Sequence, residues 1–522
     1  MQTVTSQFHD NANKDLVPLA WGNSMSFTKQ FDDSITFGSY DVSQYDSGDL
    51  FAPNTDDSLN FWDYYKYVDY SDRIMDMSWS REMSFPYSVS AAMADFTFNN
   101  TDGFFTPGGS SVIADYIIPK RPVRLQAGYK NDKIQQFIGI TGNTPTIDED
   151  KKTVSFHATD FLTEIFALNL IHIVAMANVT VDEVLAAIFE QFGMSSSSYV
   201  LAKGRNVIPF VFFDKGKNAG DAIRDLMQSE GGHLHIDETG IIRFETRLPQ
   251  VDTPVYTVDD ENTFSLTRSG QEGIINSVKI TSVIRKVTDY RDVYSRLADP
   301  ENQTVSSDVN VIKSGSSGAV TAELDNPCLV IEEPTLGEVA GASWFTAVTM
   351  GGTPVTSGVS VTGHSESTNQ YTIFISNSNS FDVQINQLYL WGKAALIVNT
   401  LNYLAQDADS IMKYGVQQLG GDEGITNDFF GSYGNADSFA ETIIDAYKDL
   451  NPTIEAEIAG DLSLQLGDVI DLQARGIDED YRITSIAPTM YPWKYAIKAR
   501  RYNPREYSYY DITEYDVGIY AP

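Results

Sequence analysis

Two histidines near the middle of the chain have a spacing that could bind a metal. His233 and His235 lie two residues apart in HLHIDETG, on one face of a predicted strand, and Asp237 follows them. Catalytic zinc sites use three protein ligands and an open position, and the sequence indicates no well-placed third ligand. The pattern favours a β-hairpin with exposed histidines, and we expect no metal there.

A second candidate for metal chemistry is the polar run inside ADFTFNNTDGFFTP, residues 94–107. Asn100, Asp102 and Gly103 could belong to a calcium loop or to a tight turn. The run lacks the alternating spacing and the terminal glutamate of a calcium loop, whereas glycine supplies the positive φ that tight turns require. The segment therefore predicts a strand, a structural hairpin turn and a stretch, FFTP, that leads the chain out of the turn.

Catalytic motifs of the common classes are missing from the sequence. GKNAG and GSYGNAD do not match the phosphate-loop pattern, and no Gly-x-Ser-x-Gly elbow occurs. Glycosidases need two carboxylates at a defined separation, but 71 acidic residues always offer some pair, so their number does not discriminate. The single cysteine, Cys328, is predicted to be a small buried hydrophobe. We expect neither an enzyme nor a bound cofactor.

Composition and charge indicate a β-rich protein that does not hold nucleic acid. The 522 residues suffice for about three domains, and the 28 Tyr and 28 Phe favour strands. The net charge of −35 should repel phosphate, which still permits an acidic wall past which DNA slides. The start, MQTVTSQFHDNANKD, has neither a basic n-region nor an apolar core, so we expect synthesis in the cytoplasm.

The first half of the chain changes from strand patterns to helix patterns. Alternation in MDMSWSREM, MADFTF, RPVRLQAGY, KIQQFIGITG and TVSFHATDFL is typical of a small antiparallel barrel or sandwich. VTVDEVLAAIFEQFG then has apolar residues at helical spacing and a capping box from Thr180 and Glu183. A second helix begins at Asn218, and the HLHI hairpin follows it. These pieces predict a compact α+β unit.

The second half is predicted to hold an inserted β-sandwich and a second small barrel. Between residues 300 and 395 the composition shifts to Ser, Thr, Gly and Asn around strand-like runs. Helical spacing in TLNYLAQDADSIMKYG, and a capping box from Ser438 and Glu441 in ADSFAETIIDAYKDLNP, indicate two more helices. Four aromatic residues of the insertion could stack on sugars or could fill a core: Trp344, Tyr371, Tyr389 and Trp391.

The order of these pieces resembles that of bacteriophage tail hub proteins, also called minor tail, tail-tip or baseplate hub proteins. ADFTFNNTDGFFTP followed by RPVRLQAGY, FIGITG and TVSFHATDFL is similar to the opening domain of that family. GDAIRDLMQSEGGHLHIDETGIIRFE resembles its helix-plus-hairpin domain, and DSIMKYG, LGDVIDLQ and YRITSIAP resemble its closing domain. The resemblance covers residues 70–505, and residues 1–70 have no counterpart in it.

The resemblance implies a mainly β fold with α+β elements, in which two tube-like β-barrel domains accompany a helix-plus-hairpin domain and an inserted β-sandwich. The expected divisions are an arm or docking segment (1–70), the first barrel (71–177), the helix-plus-hairpin domain (178–250), the second barrel in two parts (251–299 and 396–522, with a C-terminal tail) and the insertion (300–395).

The resemblance also implies a role in the virion. A homotrimer would present six similar barrels and match a sixfold tail tube to a threefold tip, around a channel through which DNA leaves without stable binding. Expected partners are the distal tail protein, the tape measure protein, receptor-binding proteins and the host cell surface. Two rival functions remain open: a carbohydrate-binding adhesin and a cell-wall hydrolase component of a tail tip.

Overall fold

The fold is built mainly from strands, as the composition predicts. The computed structural model describes residues 19–25, 67–129, 132–142, 145–170, 173, 175–214, 216–247, 253–269, 273–296, 311–331, 337–338, 345–367, 370–459, 461–489 and 494–502. Strands make up 49% and helices 17% of the structure. Within the described residues there are five α-helices, and none of them is long and apolar enough to cross a membrane.

The N-terminal part consists of strands with a tight apolar core. Met77, Trp79, Phe96, Phe98 and Phe156 alternate with polar neighbours and are buried on one face, as period-2 patterning requires. The strands are β1 (Leu19–Met25), β2 (Val68–Asp69), β3 (Ile74–Glu82), β4 (Ser88–Val89), β5 (Met93–Asn99), β6 (Pro122–Tyr129), β7 (Asp132–Thr141), β8 (Thr146–Asp148) and β9 (Thr153–Thr159).

The middle part is the predicted α+β unit, and two of its three helices begin where the sequence indicates, whereas the short first helix was not predicted. Thr180 and Glu183 form the capping box of the second helix, and the Asn218 side chain caps the third. The elements are α1 (Leu162–Phe166), β10 (Met176–Thr180), α2 (Val181–Gln191), β11 (Tyr199–Leu201), β12 (Val207–Val211), α3 (Ala219–Glu230), β13 (His233–Ile236) and β14 (Ile242–Glu245). β4 adds to the hairpin by pairing in parallel with β13.

The insertion consists of two sheets over one core, in which Phe345, Tyr371, Ile373, Ile385 and Leu390 are buried together. Three strands precede the insertion: β15 (Tyr256–Asp259), β16 (Thr263–Ser269) and β17 (Ser277–Val287). The strands that follow are β18 (Arg291–Arg296), β19 (Val311–Ile312), β20 (Ser317–Glu323), β21 (Cys328–Ile331), β22 (Gly337–Glu338), β23 (Phe345–Thr349), β24 (Pro354–Val355), β25 (Val359–Ser367), β26 (Gln370–Asn377) and β27 (Val383–Gln406).

The C-terminal part returns to the chain's main sheet after two helices. Strand β30 and the three strands after it bury Ile454, Leu472, Tyr481, Tyr495 and Ile497 in a common core. The elements are α4 (Ala408–Tyr414), β28 (Gln418–Leu419), β29 (Ile425–Thr426), α5 (Tyr433–Tyr447), β30 (Thr453–Ile458), β31 (Val469–Gln473), β32 (Glu479–Thr489) and β33 (Lys494–Arg501).

One 14-stranded sheet contains two sets of five strands with the same order, one from residues 74–159 and the other from residues 263–269 and 453–501. The N-terminal half-sheet has the order β3-β5-β9-β7-β6, and the C-terminal half-sheet has the order β16-β30-β33-β32-β31. When the five strands of each half-sheet are numbered in chain order, both half-sheets have the spatial order first, second, fifth, fourth, third. All four pairings in each half are antiparallel. The two halves thus share one topology.

The two predicted barrels are not closed: none of the sheets formed by the described residues closes on itself. The reason is that β3, the first strand of one half-sheet, pairs with β32 of the other half-sheet. The edge strand that could close the first half into a barrel therefore joins the second half. The result is one continuous open sheet in place of two barrels.

Two predicted helical segments differ from the structure. Residues 401–406, predicted to begin a helix, end the 24-residue strand β27, which pairs with β17 from Ala395 to Gln406. Pairing over this length overrides the helical spacing of the apolar residues. Helix α5 also begins before the proposed Ser438 cap, because the Ser432 side chain accepts from Asn435 N and starts the helix at Tyr433.

The segment after β5 contains a tight turn but no hairpin. Gly103 has a φ of +69°, and the backbone N–H groups of Gly103 and Thr106 donate to Asn100 O and Gly103 O. The chain then runs through loops to β6, which pairs with β1 and β7 and not with β5. β5 lies between β3 and β9 instead, so both its edges are occupied and a hairpin partner has no room.

Replacement of Gly103 by alanine should cost about 1–3 kcal/mol of unfolding free energy, because the side chain would have to adopt a left-handed backbone conformation. A Cβ there would lie 3.7 Å from Thr106 Oγ1, so steric overlap adds little. Chemical denaturation measures the loss, and Gly434→Ala inside α5 is the control, expected to be neutral or to stabilise. A calcium-dependent rise in melting temperature that Asp102→Ala abolishes would contradict the assignment as a turn.

Candidate assembly surface

The junction between the two half-sheets is a short antiparallel pairing of β3 with β32. Ser78 lies opposite Thr489, Arg81 opposite Ile486 and Glu82 opposite Ser485. Just beyond the strand, Met83 N donates to Thr484 O at 2.7 Å. Strand edges expose N–H and C=O groups that favour pairing with another strand. The chain therefore satisfies one edge of each half-sheet internally.

A buried ion pair holds this junction to the hairpin of the α+β unit. Arg81 is 4% exposed, and its Nη1 donates to Glu238 Oε1 at 3.0 Å while its Nη2 donates to Gln136 O at 2.8 Å. Glu238 lies in the turn between β13 and β14, and it also accepts a hydrogen bond from the Gln465 side chain. Residues from the N-terminal half-sheet, the hairpin and the C-terminal half thus meet at one carboxylate.

A second buried carboxyl group lies close to the same junction. Asp160 is 1% exposed and accepts hydrogen bonds from Ala92 N at 2.6 Å and Leu162 N at 3.1 Å. Burial raises the pKa of Asp160 to about 7, against the opposing effect of these hydrogen bonds and of the Arg81 charge. Because the folded-state pKa is raised, this group's contribution to stability is complete below its ordinary pKa of 3.8 and is lost as the pH rises from there to about 7.

Two strand edges remain open at positions equivalent to the junction. Among the described strands, β16 pairs only with β30 and β8 pairs only with β9. β16 is the first strand of its half-sheet, as β3 is of the other. β8 is equivalent to the second part of β32, because β8 pairs with β9 in the N-terminal half-sheet where that part of β32 pairs with β33 in the C-terminal half-sheet. β16 also exposes an apolar side chain, Phe264, of which 54% is accessible to solvent.

The predicted turn residues act structurally. Asn100 Oδ1 accepts from Phe105 N at 2.8 Å, and its Nδ2 donates to Thr106 Oγ1 at 3.1 Å. Asp102 accepts from Arg73 Nη1 at 2.9 Å, and this hydrogen bond lowers the pKa of the carboxyl group. The Arg73 guanidinium lies 4.3 Å from the centre of the Phe104 ring. The acidic side chain of the turn is therefore used to hold Arg73.

His233 and His235 are buried, so the expectation of exposed histidines is wrong. Each is 6% exposed, because β13 lies between β14 and β4 and the face with the histidines is covered in turn, with Phe85 packed on His233 at 4.9 Å between ring centres, while α3 covers the opposite face with Leu234 and Ile236. Burial, with the charges of Arg482 and His235, lowers the pKa of His233 to about 3, so the ring is neutral. Asp237 binds Arg243 at 2.7 Å. Within the residues that the structure describes, no group of three potential ligands could hold a metal ion.

The aromatic residues proposed to contact glycans do not form one surface. Tyr371 is buried in the core of the insertion and stacks on His364 at 5.3 Å, which contradicts a role in sugar contact. Tyr389 is half-buried and Trp391 is 51% exposed, so these two stay candidates. Trp344 lies outside the described residues. The thiol of Cys328 is buried, which raises its pKa to about 11 and makes it a poor nucleophile.

The sequence analysis missed the Arg81–Glu238 pair, although one signal for it was present. In MDMSWSREM the core-facing positions are Met77, Trp79 and Arg81, so an arginine occupies a position that the alternation assigns to the interior. An arginine there needs a buried carboxylate. Its partner lies 157 residues away, and no local pattern identifies it.

Comparison with known proteins gives relatives in structure only. No protein-family model matches the sequence, and no curated protein matches it. The solved structures to which the chain is similar include a prophage MuSo2 43 kDa tail protein from Shewanella oneidensis (11% identity, TM-score 0.44, covering 85% of this chain and 97% of that one). Another is a tail protein from Neisseria meningitidis MC58 (11% identity, TM-score 0.44, covering 83% of this chain and 93% of that one). A third is prophage tail protein gp18 from Listeria monocytogenes EGD-e (10% identity, TM-score 0.42, covering 86% of this chain and 94% of that one). The structural neighbours of the chain include phage tail and baseplate proteins.

Removing one partner of the buried pair should weaken the junction strongly. We expect Arg81→Met to lower the free energy of unfolding by about 3–5 kcal/mol, because Glu238 would be left as a buried charge. The double variant Arg81→Met/Glu238→Met should cost less than the sum of the two single variants. Denaturant titration measures all three.

The matched control is Arg475, whose Nη1 lies 3.0 Å from Asp260 while both side chains are more than half exposed. Arg475→Met should cost less than about 1 kcal/mol, since exposed ion pairs contribute little. Equal losses at Arg81 and Arg475 would contradict the assignment of Arg81 as the residue that holds the junction.

Proposed function

We propose that the chain is the structural hub protein of a phage tail tip, and that it joins the tail tube to the distal tip as a homotrimer. The observation that carries the proposal is the repeated half-sheet. Two halves with the same strand order are joined edge to edge through β3 and β32, and the equivalent edges β16 and β8 stay open. An enzymatic activity is no part of this role.

The open edges are suited to each other because the chain already pairs their equivalents. If β16 of one copy pairs with β8 of the next, every half-sheet has a neighbour on each side and the series closes into a ring. A repeated head-to-tail contact forms a ring when its rotation closes. The number of copies, three, comes from the family resemblance, and it gives a ring of six half-sheets.

The register of this contact follows from the junction inside the chain. The three buried positions of β9 (Val154, Phe156, Ala158) are aligned with those of β33 (Tyr495, Ile497, Ala499). Asp148, opposite Thr153, then corresponds to Thr489, opposite Lys494. The same alignment of β5 with β30 makes Thr267 the equivalent of Ser78. Since Ser78 lies opposite Thr489, Thr267 should lie opposite Asp148 of the neighbouring copy.

The solvent-facing side of the sheet is proposed to line the DNA exit channel. In the N-terminal half-sheet this side carries Asp76 and Asp95, both exposed. In the C-terminal half-sheet, Lys494 and Lys498 lie 2.8 and 2.9 Å from carboxylates of β30 and balance them. At these positions the wall would be acidic in the N-terminal half-sheet, and its charges would be balanced in the C-terminal one. It would offer phosphate no net attraction within a Debye length of about 8 Å.

The distal tail protein, the tape measure protein and receptor-binding proteins are the proposed partners within a virion tail. A carbohydrate-binding adhesin is the second candidate function, and Trp391 is the observation that favours it, because half of this ring is exposed at the surface of the insertion. Binding of soluble glycans by the full chain, lost in Trp391→Ala, would support the adhesin.

A cysteine pair tests the ring and its register together. Thr267→Cys with Asp148→Cys should form a disulfide between copies, because opposed residues on antiparallel strands have Cβ atoms about 4.5–5.5 Å apart. Native mass measurement should give three chains, and non-reducing gels should show linked dimers and trimers. The native Cys328 is buried and should not interfere.

Thr267→Cys with Asp445→Cys is the control, since Asp445 lies on α5 and is half exposed but lies outside the sheet. Linkage in the control pair to the same extent would show that collisions, and not strand pairing, bring the cysteines together. A monomer at all concentrations would refute the hub.

The channel surface should repel DNA, and a charge reversal there should reverse the effect. The wild-type assembly should retain no duplex DNA in a filter-binding assay at physiological salt. Asp76→Lys with Asp95→Lys should retain DNA at low salt and release it as salt rises, because phosphate contacts weaken with the salt concentration. Tight DNA retention by the wild-type protein would contradict a channel through which DNA passes freely.

A further inference from the structure

The long strand β27 has an open edge along its C-terminal part. Its earlier residues have a strand on each side: Leu388 pairs with Arg296 of β18 and with Phe345 of β23. From Ala395 to Gln406 the strand pairs with β17 alone, and no described strand lies on the other side of this stretch. Unpaired strand edges expose N–H and C=O groups that favour pairing with a further strand.

The direction of these backbone groups follows from the register with β17. Asp407 N donates to Asn276 O at 3.0 Å, one step beyond the last pair of the ladder. Alternate residues of an antiparallel strand direct their N–H and C=O groups to opposite sides. Four exposed residues therefore direct these groups away from β17: Thr400, Asn402, Leu404 and Gln406. A stretch of this length is sufficient for pairing with a strand of ordinary size.

Helix α5 lies beside this stretch, on one face of the sheet. Leu401 is buried in the core that α5 forms with β17 and β27. The Tyr403 hydroxyl donates to Asp437 in the first half of the helix. Lys448, directly after the helix, has its Nζ 3.4 Å from Oδ2 of Asp407, directly after the strand. Helix and strand therefore run side by side in the same direction.

The flank of α5 on the side of the open edge is acidic. The opposite flank contacts the α+β unit, because Asn435 Nδ2 donates to Val207 O at 2.9 Å. Asp437 and Glu441, about one helical turn apart, lie on the free flank and are exposed. In the part of the chain that the structure describes, the acidic side chain of α5 that has an ion-pair partner is Asp445. The negative charges of Asp437 and Glu441 are therefore available to a binding partner.

A strand added at this edge would have two unlike faces. A residue opposite Tyr403 would direct its side chain to the face of α5, where Asp437 and Glu441 lie, and lysine or arginine suits that position. Its neighbours in sequence would lie on the other face, beside Leu404, which is 56% exposed, and apolar side chains suit those positions. The edge therefore fits an extended segment in which basic and apolar residues alternate.

The charge of the edge points to another protein as its occupant. Strand β33, KYAIKARR, has such an alternation, but both its edges are paired within the chain, with β30 and β32. A second copy of this chain carries the same net charge of −35, so an acidic flank repels it. We propose that the open edge of β27 binds a basic extended segment of another protein by strand addition. The edge lies outside both half-sheets, so this binding is independent of the hub role.

The test is fluorescence anisotropy of the full chain with a labelled, acetylated peptide, Lys-Val-Lys-Val-Lys-Val-Lys. The peptide should bind saturably at millimolar concentration or below, and added salt should weaken the binding because it screens the acidic flank. Replacement of every lysine by glutamate should abolish binding. Methylation of all valine nitrogens, or of all lysine nitrogens, should abolish binding in one case and leave it in the other, because alternate nitrogens of an added strand face β27.

Variants of the chain locate the site. Asp437→Asn with Glu441→Gln should weaken binding about tenfold, the combined contribution of two exposed charge pairs. Asp422→Asn with Glu423→Gln is the matched control, because it removes the same charge from exposed residues after β28, on the far side of β17, and it should bind like the wild type. Asn402→Pro should abolish binding and leave the chain folded, since this N–H faces away from β17 and strand edges tolerate proline.

The proposal is wrong if the peptide does not bind at millimolar concentration or if the glutamate peptide binds equally well. It is also wrong if Asn402→Pro, or Asp437→Asn with Glu441→Gln, leaves binding unchanged. Self-association of the full chain that Asn402→Pro abolishes, without binding of the peptide, would assign the edge to a second copy and overturn the proposal.

Discussion

Strand edges are the constraint on which this structure depends, because each exposes backbone groups that must be paired or protected. The pairing of β3 with β32 satisfies an edge of each half-sheet at once and makes one sheet from the two ends of the chain. The insertion, the hairpin and the helices all lie between these ends in sequence. They can pack only where the shared sheet leaves room for them.

The buried Arg81–Glu238 pair makes this junction specific. Strand pairing alone tolerates a shift in register, but Arg81 reaches Glu238 and Gln136 O only when β3, β7 and the hairpin are all in their observed positions. A buried ion pair adds little net stability because both charges lose their hydration. Its absence in a shifted register would leave two buried charges, which is far more costly. The pair therefore selects the register.

The sequence predicted what local chemistry determines. Alternation located the strands of both half-sheets, and the Thr180–Glu183 box and Asn218 located two helix starts. It failed where distant pairing decides: residues 401–406 have helical spacing but lie in β27 because β17 is beside them. The prediction of exposed histidines failed because β4, which pairs with one edge of their strand, comes from residues about 145 positions earlier. Barrel closure failed for the same reason, since β32 lies far from β3 in sequence.

The same reasoning explains why the half-sheets stay open within one chain. A half-sheet of five strands could close only by pairing its first strand with its own fourth or third strand. In the N-terminal half that first strand, β3, is already paired with β32 of the other half. The first strand of the C-terminal half, β16, has no such neighbour among the described strands, although its equivalent shows what kind of partner it accepts. Among the described strands, β16 and β8 are the two edges equivalent to the junction and they do not pair with each other, so the proposed contact between copies would satisfy both edges at once.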